Sequence, residues 1–101
     1  MAYEIMLKKR FTNKLVKVLV YLEQEWSQQV AVNFLKKTDH RLRQLSGQPF
    51  TGVPSEKIKD VRAVLITRHN RLYYKVKGKK VIILNMYDTR MNPKKKKYLT
   101  M

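Results

Sequence analysis

One predicted strand, Arg71–Lys77, places cationic side chains and an aromatic ring on a single face. Because successive side chains of a strand point to opposite faces, Arg71, Tyr73 and Lys75 lie together while the apolar side chains between them face the core. Cations bind phosphates and an aromatic ring stacks on a nucleobase, so this combination is suited to RNA binding. The same alternation also fits an ordinary solvated sheet face that carries no ligand.

Two arginines of the preceding segment add to these cations. Arg62 lies within the apolar, β-branched run Val61–Thr67, and Arg68 directly follows it. Both alternating sets of side chains in this run are apolar, so it is weaker evidence for nucleic-acid binding than Arg71–Lys77 is. We count both arginines as candidate nucleic-acid-binding residues.

A second cluster of candidate residues follows the last predicted strand. Arg90 comes just after that strand, and Asn92-Pro93 begins a predicted short helix, since Asn caps helices and Pro suits the first helical position. The first turn of this helix carries Lys94, Lys95, Lys96 and Lys97. A bound phosphate would offset the repulsion among these lysines, because helix N-termini bind anions; the alternative is a frayed, solubilising tail. Tyr98 could stack on a base, act as an acid or dock the tail.

Other catalytic chemistries have little support in the sequence. His69 lies in a predicted hairpin turn and His40 lies among polar residues of a helix, where polar residues are expected for structural reasons. The 7 Asp plus Glu are scattered, and the chain has no glycine-rich phosphate loop. We therefore expect no metal site and no cofactor.

The composition indicates a small basic protein with a polyanionic or acidic partner. The 101 residues have a formal net charge of +16, of which +11 falls in residues 51–101. Such a charge opposes compaction and favours nucleic acid, an anionic membrane surface or an acidic protein as partner, although a solvated surface is the alternative. The absence of Cys excludes disulfide frameworks and thiolate zinc sites.

The same composition bears on where the protein works. Uninterrupted apolar runs reach only four or five residues, far short of a bilayer span. The N-terminus has no hydrophobic core of a signal peptide. We expect a cytoplasmic protein without a membrane segment.

The hydrophobic pattern predicts helices in the first half of the chain. Alternation over residues 3–7 indicates a strand, and 3–4-residue spacing then indicates a helix over 13–25, capped by Thr12 or Asn13. Ser27 caps a second helix that ends at Gly47, so the two helices form a hairpin. The apolar stripes of the two helices are Leu15, Val18, Leu19, Leu22 and Trp26, and then Ala31, Phe34, Leu35, Leu42 and Leu45.

The second half of the chain has the pattern of strands. Gln48–Ser55 is predicted as a loop because it contains two prolines and a glycine. Strands are predicted over Val61–Thr67, Arg71–Lys77 and Lys80–Tyr87, joined by short hairpins. The chain is therefore a single α+β domain over residues 1–101, with element order β-α-α-β-β-β and a short C-terminal helix. The helical hairpin packs on one face of a four-stranded, mainly antiparallel sheet, which leaves the other face available for a partner.

The order and spacing of these segments resemble the RelE/ParE superfamily of type II toxin–antitoxin toxins over nearly the whole chain. The matching stretches are Leu42–Ser55, Asn70–Leu84 and the late Arg90 in DTRMNP. The resemblance implies a compact α/β fold and a cognate antitoxin that wraps the toxin surface. It also implies one of two actions: RelE-like members cleave mRNA in the ribosomal A site, and ParE-like members inhibit DNA gyrase without nuclease residues.

The resemblance assigns roles to individual residues. Arg71 matches the arginine that contacts the scissile phosphate, and Arg90 matches the later arginine that stabilises the developing charge. Arg62 falls where a basic residue of the preceding strand lies, but the second basic position of that strand is Val64. Tyr98 lies two residues beyond the place of the terminal tyrosine that activates the 2′-hydroxyl.

From these features we expect the toxin of a type II toxin–antitoxin (plasmid-stabilisation) module that inhibits translation by ribosome-dependent, metal-free mRNA cleavage. Its catalytic residues would be Arg71, Arg90 and Tyr98, and its partners an acidic antitoxin, the ribosome and mRNA. One alternative is a gyrase-directed toxin without nuclease chemistry. Another is a basic nucleic-acid-binding module that is not toxic.

Overall fold

A computed structural model describes residues 2–88 and shows two helices and five strands within them. In chain order these are β1 (Glu4–Leu7), α1 (Lys9–Glu25), α2 (Gln28–Gly47), β2 (Val53–Pro54), β3 (Val61–Thr67), β4 (Asn70–Lys77) and β5 (Lys80–Asp88). The predicted C-terminal helix lies outside the described residues. No helix within residues 2–88 has the length and apolar character needed to cross a membrane.

The first helix begins earlier than its sequence signals suggest. Helix α1 starts at Lys9, four residues before the predicted start, and the extended residue Lys8 precedes it without a side-chain cap. Thr12 instead lies inside the helix, where its hydroxyl donates to the carbonyl of Lys9 at 3.0 Å, so the predicted cap is wrong. Burial explains the earlier start of α1, because Phe11 is fully buried and the first turn of the helix therefore packs against the core.

The second helix has the predicted start and end. The hydroxyl oxygen of Ser27 accepts from the backbone N–H of Val30 at 3.1 Å, and α2 ends at Gly47. Two members of the predicted apolar stripes are displaced from the core: Trp26, between the helices, is 62% exposed and Leu35 is 45% exposed. Thr38 is buried instead, because its hydroxyl donates to the carbonyl of Phe34 and so needs no water.

The sheet has the order β1-β5-β4-β3-β2. Strand β1 runs parallel to β5, and the other pairs are antiparallel. The α+β class with a mainly antiparallel sheet is confirmed, but the sheet has five strands rather than the predicted four. The extra strand is β2, which lies within the predicted loop, where Val53 pairs with Ala63 and Pro54 with Arg62. A proline is tolerated there because β2 is an edge strand.

The core lies between the helical hairpin and one face of the sheet. Its fully buried members from the helices are Phe11, Val18, Leu22 and Leu45, and those from the sheet are Leu72, Tyr74, Val81, Ile83 and Met86. The alternation of β4 follows from this packing, since Leu72 and Tyr74 face the helices while Arg71, which precedes Leu72, is exposed. We call the side of the sheet that carries Arg71 the open face.

An irregularity in β5 brings α1 beside the sheet. Tyr73 pairs with Asn85 and Tyr74 with Ile83, so Leu84 is an extra residue in β5. At the same point β1 ends its pairing with β5 at Ile83, and the N–H of Lys8 donates to the carbonyl of Ile83 at 3.0 Å. Helix α1 therefore begins next to the part of β5 that β1 no longer covers.

Candidate functional site

The open face brings together three of the predicted site residues. Arg71, Tyr73 and Lys75 alternate with buried residues along β4 and so project on the same side. Arg71 is exposed, and Tyr73 and Lys75 are half-buried. The structure therefore groups these residues as the alternation predicts.

The direct neighbours of Arg71 are apolar or aromatic. Across the sheet, Arg71 pairs with Leu65 of β3 on one side and with Tyr87 of β5 on the other. Leu65 is 47% exposed and Tyr87 is 48% exposed. Opposed residues of antiparallel strands have adjacent side chains on one face, so an aliphatic chain and a phenol ring flank the Arg71 position on its two neighbouring strands.

An aromatic pair continues the surface from Arg71. The rings of Tyr73 and Tyr87 meet edge to face, with centroids 6.0 Å apart and an interplanar angle of 88°. Lys14 of α1 places its Nζ 5.7 Å from the centroid of the Tyr87 ring. Such edge-to-face pairs contribute about 0.5–1.5 kcal/mol beyond area burial, which helps to fix the two rings in place.

Strand β3 contributes apolar side chains to the open face. Its residues opposite Lys75, Tyr73 and Arg71 are Val61, Ala63 and Leu65. The intervening Arg62 and Val64 pair with the inward-facing Tyr74 and Leu72 and therefore face the other side. Arg62 therefore does not lie on the same face of the sheet as Arg71.

Arg62 has a structural use on its own face. Its Nη1 donates to the carbonyls of Gly52 at 2.8 Å and Phe50 at 3.2 Å, and its guanidinium lies 5.3 Å from the centroid of the Phe50 ring. The Arg62 guanidinium, predicted from the sequence to bind nucleic acid, instead contacts two backbone carbonyls and an aromatic ring. The contacts fasten the segment between α2 and β3 to the sheet.

Tyr74 completes this attachment from within the core. Its hydroxyl donates to the carbonyl of Pro49 at 2.7 Å and accepts from the N–H of Gly52 at 2.9 Å. Burial raises the pKa of the Tyr74 phenol, which keeps it in the neutral form that can donate. A side chain at Gly52 would meet the phenol oxygen at 2.5 Å, so glycine permits the close approach.

The remaining sequence-predicted residues are divided between a turn and the end of the chain. Arg68 is exposed in the turn between β3 and β4, and its Nε lies 3.4 Å from Nε2 of His69. Asn70 anchors that turn, accepting from the N–H of Thr67 and donating to the buried Asp88. Outside the described residues lie Arg90, Lys94, Lys95, Lys96, Lys97 and Tyr98.

A second basic surface was missed by the sequence analysis. A shallow groove of about 420 Å³ lies between α1 and β5. It is lined by Lys9, Arg10, Asn13, Lys14, Lys17 and Asn85. The available signal was the stretch between Glu4 and Glu23, which contains five basic residues and no acidic one.

Comparison with known proteins identifies the family. A family model described as the ParE toxin of the type II toxin–antitoxin system parDE matches residues 5–93. No curated protein sequence matches the chain.

Solved structures share the fold. A chain of the chromosomal ParDE system from P. aeruginosa superposes with a TM-score of 0.75 at 18% identity, covering 86% of this chain and 96% of that one. A mutant of the E. coli toxin RelE in the free state gives 0.59 at 13% identity, covering 99% and 97%. A copper-bound mutant toxin from Helicobacter pylori gives 0.57 at 20% identity, covering 89% and 98%. The family model spans most of the sequence, and the chain therefore belongs to the ParE toxin family, within the RelE/ParE superfamily of type II toxin–antitoxin toxins.

Proposed function

We propose that this toxin acts by binding DNA gyrase through the open face of its sheet, and not by cleaving mRNA. The observation that carries the proposal is the setting of Arg71, whose direct neighbours are Leu65 and Tyr87. This reverses the order of the two toxin mechanisms expected from the sequence. The match to the ParE family model supports the same choice.

The chemistry of the open face suits a protein partner. Interface centres are enriched in aromatic residues and arginine and depleted in other charges, and a few such residues dominate the binding energy. Arg71, Tyr73 and Tyr87 form such a group, with Leu65 exposed beside them. RNA cleavage instead requires a proton acceptor and several hydrogen-bond donors around one phosphate. The β3 residues next to Arg71, Tyr73 and Lys75 supply neither.

The exposed guanidinium of Arg71 keeps mRNA cleavage as the competing function. In that mechanism, Arg71 and Arg90 would hold the pentavalent phosphate by bidentate hydrogen bonds. Tyr98 or a neighbouring lysine would take the proton from the 2′-hydroxyl, and the ribosome would position the mRNA. A non-toxic nucleic-acid-binding module, the third alternative, predicts harmless overexpression.

Toxins of this family have a cognate antitoxin, and the charge of +16 favours an acidic one. We place its contact on the exposed apolar side chains of the helical hairpin, namely Val16, Val20 and Trp26. Val30 of the same hairpin packs against the core and is less available for this contact. The site of action would be the cytoplasm, where the targets of both toxin mechanisms work.

Brief induction of the toxin in growing cells tests the proposal. We expect growth arrest with induction of the DNA-damage response and no codon-positioned breaks in mRNA mapped by primer extension. Breaks at fixed codon positions without DNA damage would assign the toxin to the mRNA-cleaving class. Normal growth at high expression would assign it to the non-toxic class.

A further inference from the structure

The groove between α1 and β5 has a chemical character different from that of the open face. We call it the α1 groove, and its six lining residues are four cations and two amides. None of these lining residues is apolar or acidic. Lys9, Arg10, Asn13 and Lys17 are exposed, whereas Lys14 and Asn85 are half-buried at the floor.

The cations of the groove repel one another. Arg10 and Lys14 are four residues apart and Lys14 and Lys17 are three apart on α1, spacings at which like charges destabilise a helix. The closest acidic residues along the chain are Glu4, before the helix, and Glu23, near its end. A bound polyanion would relieve this repulsion.

The lining favours a phosphate backbone over an acidic protein. Protein interfaces depend on apolar and aromatic anchors in their centres, and within residues 2–88 the groove lining includes none. Contacts to a nucleic-acid backbone are made by lysine, arginine and side-chain amides, which are the types found here. The side-chain Oδ1 of Asn85 accepts from the backbone N–H of Met86 at 2.8 Å. The side-chain NH₂ group of Asn85 is a donor, which suits an anion.

The cations of α1 that line the groove form a row whose length suits an extended phosphate backbone. Lys9 and Lys17 are eight residues apart on α1, which corresponds to roughly 12 Å of helix. One DNA strand presents a phosphate about every 3.4 Å of duplex axis, so the row runs alongside about three or four phosphates. None of the described residues that line the groove is aromatic, whereas single strands are held by stacking platforms.

We propose that the α1 groove binds the phosphate backbone of duplex DNA. In the gyrase-directed account, this contact would hold the toxin to the DNA on which its target works. The binding itself does not depend on that account, because it is measured with DNA alone. The groove adjoins the open face through Lys14, which lies against the Tyr87 ring.

A charge-neutralising variant tests the proposal. The groove variant carries Lys9→Gln, Arg10→Gln and Lys17→Gln, all at exposed helical positions where Gln is well tolerated. The control variant removes the same charge elsewhere, with Lys36→Gln, Lys37→Gln and Lys57→Gln, all exposed and outside the groove. Circular dichroism and thermal unfolding establish that both variants fold like the original chain.

The readout is fluorescence anisotropy of a labelled duplex across a salt series. For the groove variant we expect an affinity at least about tenfold lower at low salt, and a slope of log K against log salt smaller by about 2 to 3. The control variant should keep most of the affinity and most of the slope of log K against log salt. Equal losses in the two variants would overturn the proposal, because net charge alone would then explain the binding.

Two further outcomes would also overturn it. One is tighter binding of single-stranded RNA or duplex RNA of the same length than of duplex DNA. The other is a groove variant that binds DNA like the original chain but loses its antitoxin, which would make the groove a protein contact. Gyrase inhibition is measured separately, so failure of the DNA contact is distinguishable from failure of the proposed function.

Discussion

Arg71 of β4 and Tyr87 of β5 are direct cross-strand partners on the open face of the sheet. Tyr87 also meets the ring of Tyr73 edge to face, and Lys14 of α1 lies against it. Arg71, which the family resemblance assigns to a phosphate, thus has Tyr87 and the aliphatic Leu65 as its cross-strand neighbours. This setting is the physical reason for assigning the face to a protein target.

A substitution of Leu65 distinguishes gyrase binding through the open face from a nuclease mechanism. Leu65→Ser removes exposed apolar area next to Arg71 and should raise the concentration needed for half-inhibition of gyrase by roughly 5- to 30-fold, corresponding to about 1–2 kcal/mol. Ile58→Ser is the matched control, since Ile58 is an exposed aliphatic residue outside the sheet. Equal inhibition by the Leu65 variant and the original chain would remove Leu65 from the contact.

Tyr98 separates the two mechanisms by its hydroxyl group. Tyr98→Phe keeps the ring and removes the hydroxyl, the one group of this side chain that could take or give a proton. Under the binding mechanism we expect growth arrest to be retained, as measured by colony formation after induction. Loss of toxicity with a normal amount of folded protein would instead support the use of that hydroxyl in cleavage.

The hydrogen bonds of the Tyr74 hydroxyl attach the segment between α2 and β3 to the sheet, and their loss should lower the stability of the protein. Tyr74→Phe leaves the Pro49 carbonyl and the Gly52 N–H without their buried partner, which should lower the free energy of unfolding by about 1–3 kcal/mol in urea titrations. Tyr73→Phe is the control. The half-buried Tyr73 ring keeps its edge-to-face contact in that variant, so its stability should change little.

The difference in the free energy of unfolding between the original chain and Tyr74→Phe should depend on pH. Burial raises the pKa of Tyr74 above its ordinary value of 10.0, so the folded state holds the proton more tightly than the unfolded chain does. The stabilisation is therefore complete below about pH 10 and is lost as the pH rises through the folded-state pKa. We expect the gap between the original chain and Tyr74→Phe to narrow above pH 10. A constant or widening gap would contradict the burial of a neutral phenol.

Two glycines should respond oppositely to the same substitution. Gly52→Ala places a methyl group against the Tyr74 hydroxyl and should cost about 1–3 kcal/mol in the free energy of unfolding. Gly47→Ala enters open space at the end of α2 and should be neutral or slightly stabilising. A neutral Gly52→Ala would show that the segment is not held against the sheet.

The features that sequence predicted well are local ones. The Ser27 cap requires only a hydroxyl three residues before an N–H, and the alternation of β4 requires only that one face be buried. Val61–Thr67 has the same bounds in sequence and structure, because β-branched residues between turn residues favour one conformation. Such preferences need no knowledge of distant contacts.

The features that sequence missed depend on distant contacts. Arg62 faces inward because it binds carbonyls of Phe50 and Gly52, which no periodicity in β3 indicates. Asn85, the β5 residue that lines the α1 groove, directly follows the extra residue Leu84, and the hydrophobic pattern of β5 does not indicate that irregularity. Helix α1 starts at Lys9 because Phe11 finds a place in the core, although Thr12 and Asn13 are better capping residues.

Supercoiling of relaxed plasmid DNA by purified gyrase is the most direct test of binding through the open face. The original toxin should inhibit it, and Arg71→Ala should lose inhibition while unfolding at the same urea concentration, since Arg71 is exposed. Lys37→Ala, exposed on α2, should inhibit like the original chain. Uninhibited gyrase at saturating folded toxin, together with codon-positioned cuts on purified ribosomes that require Arg71, would contradict the account.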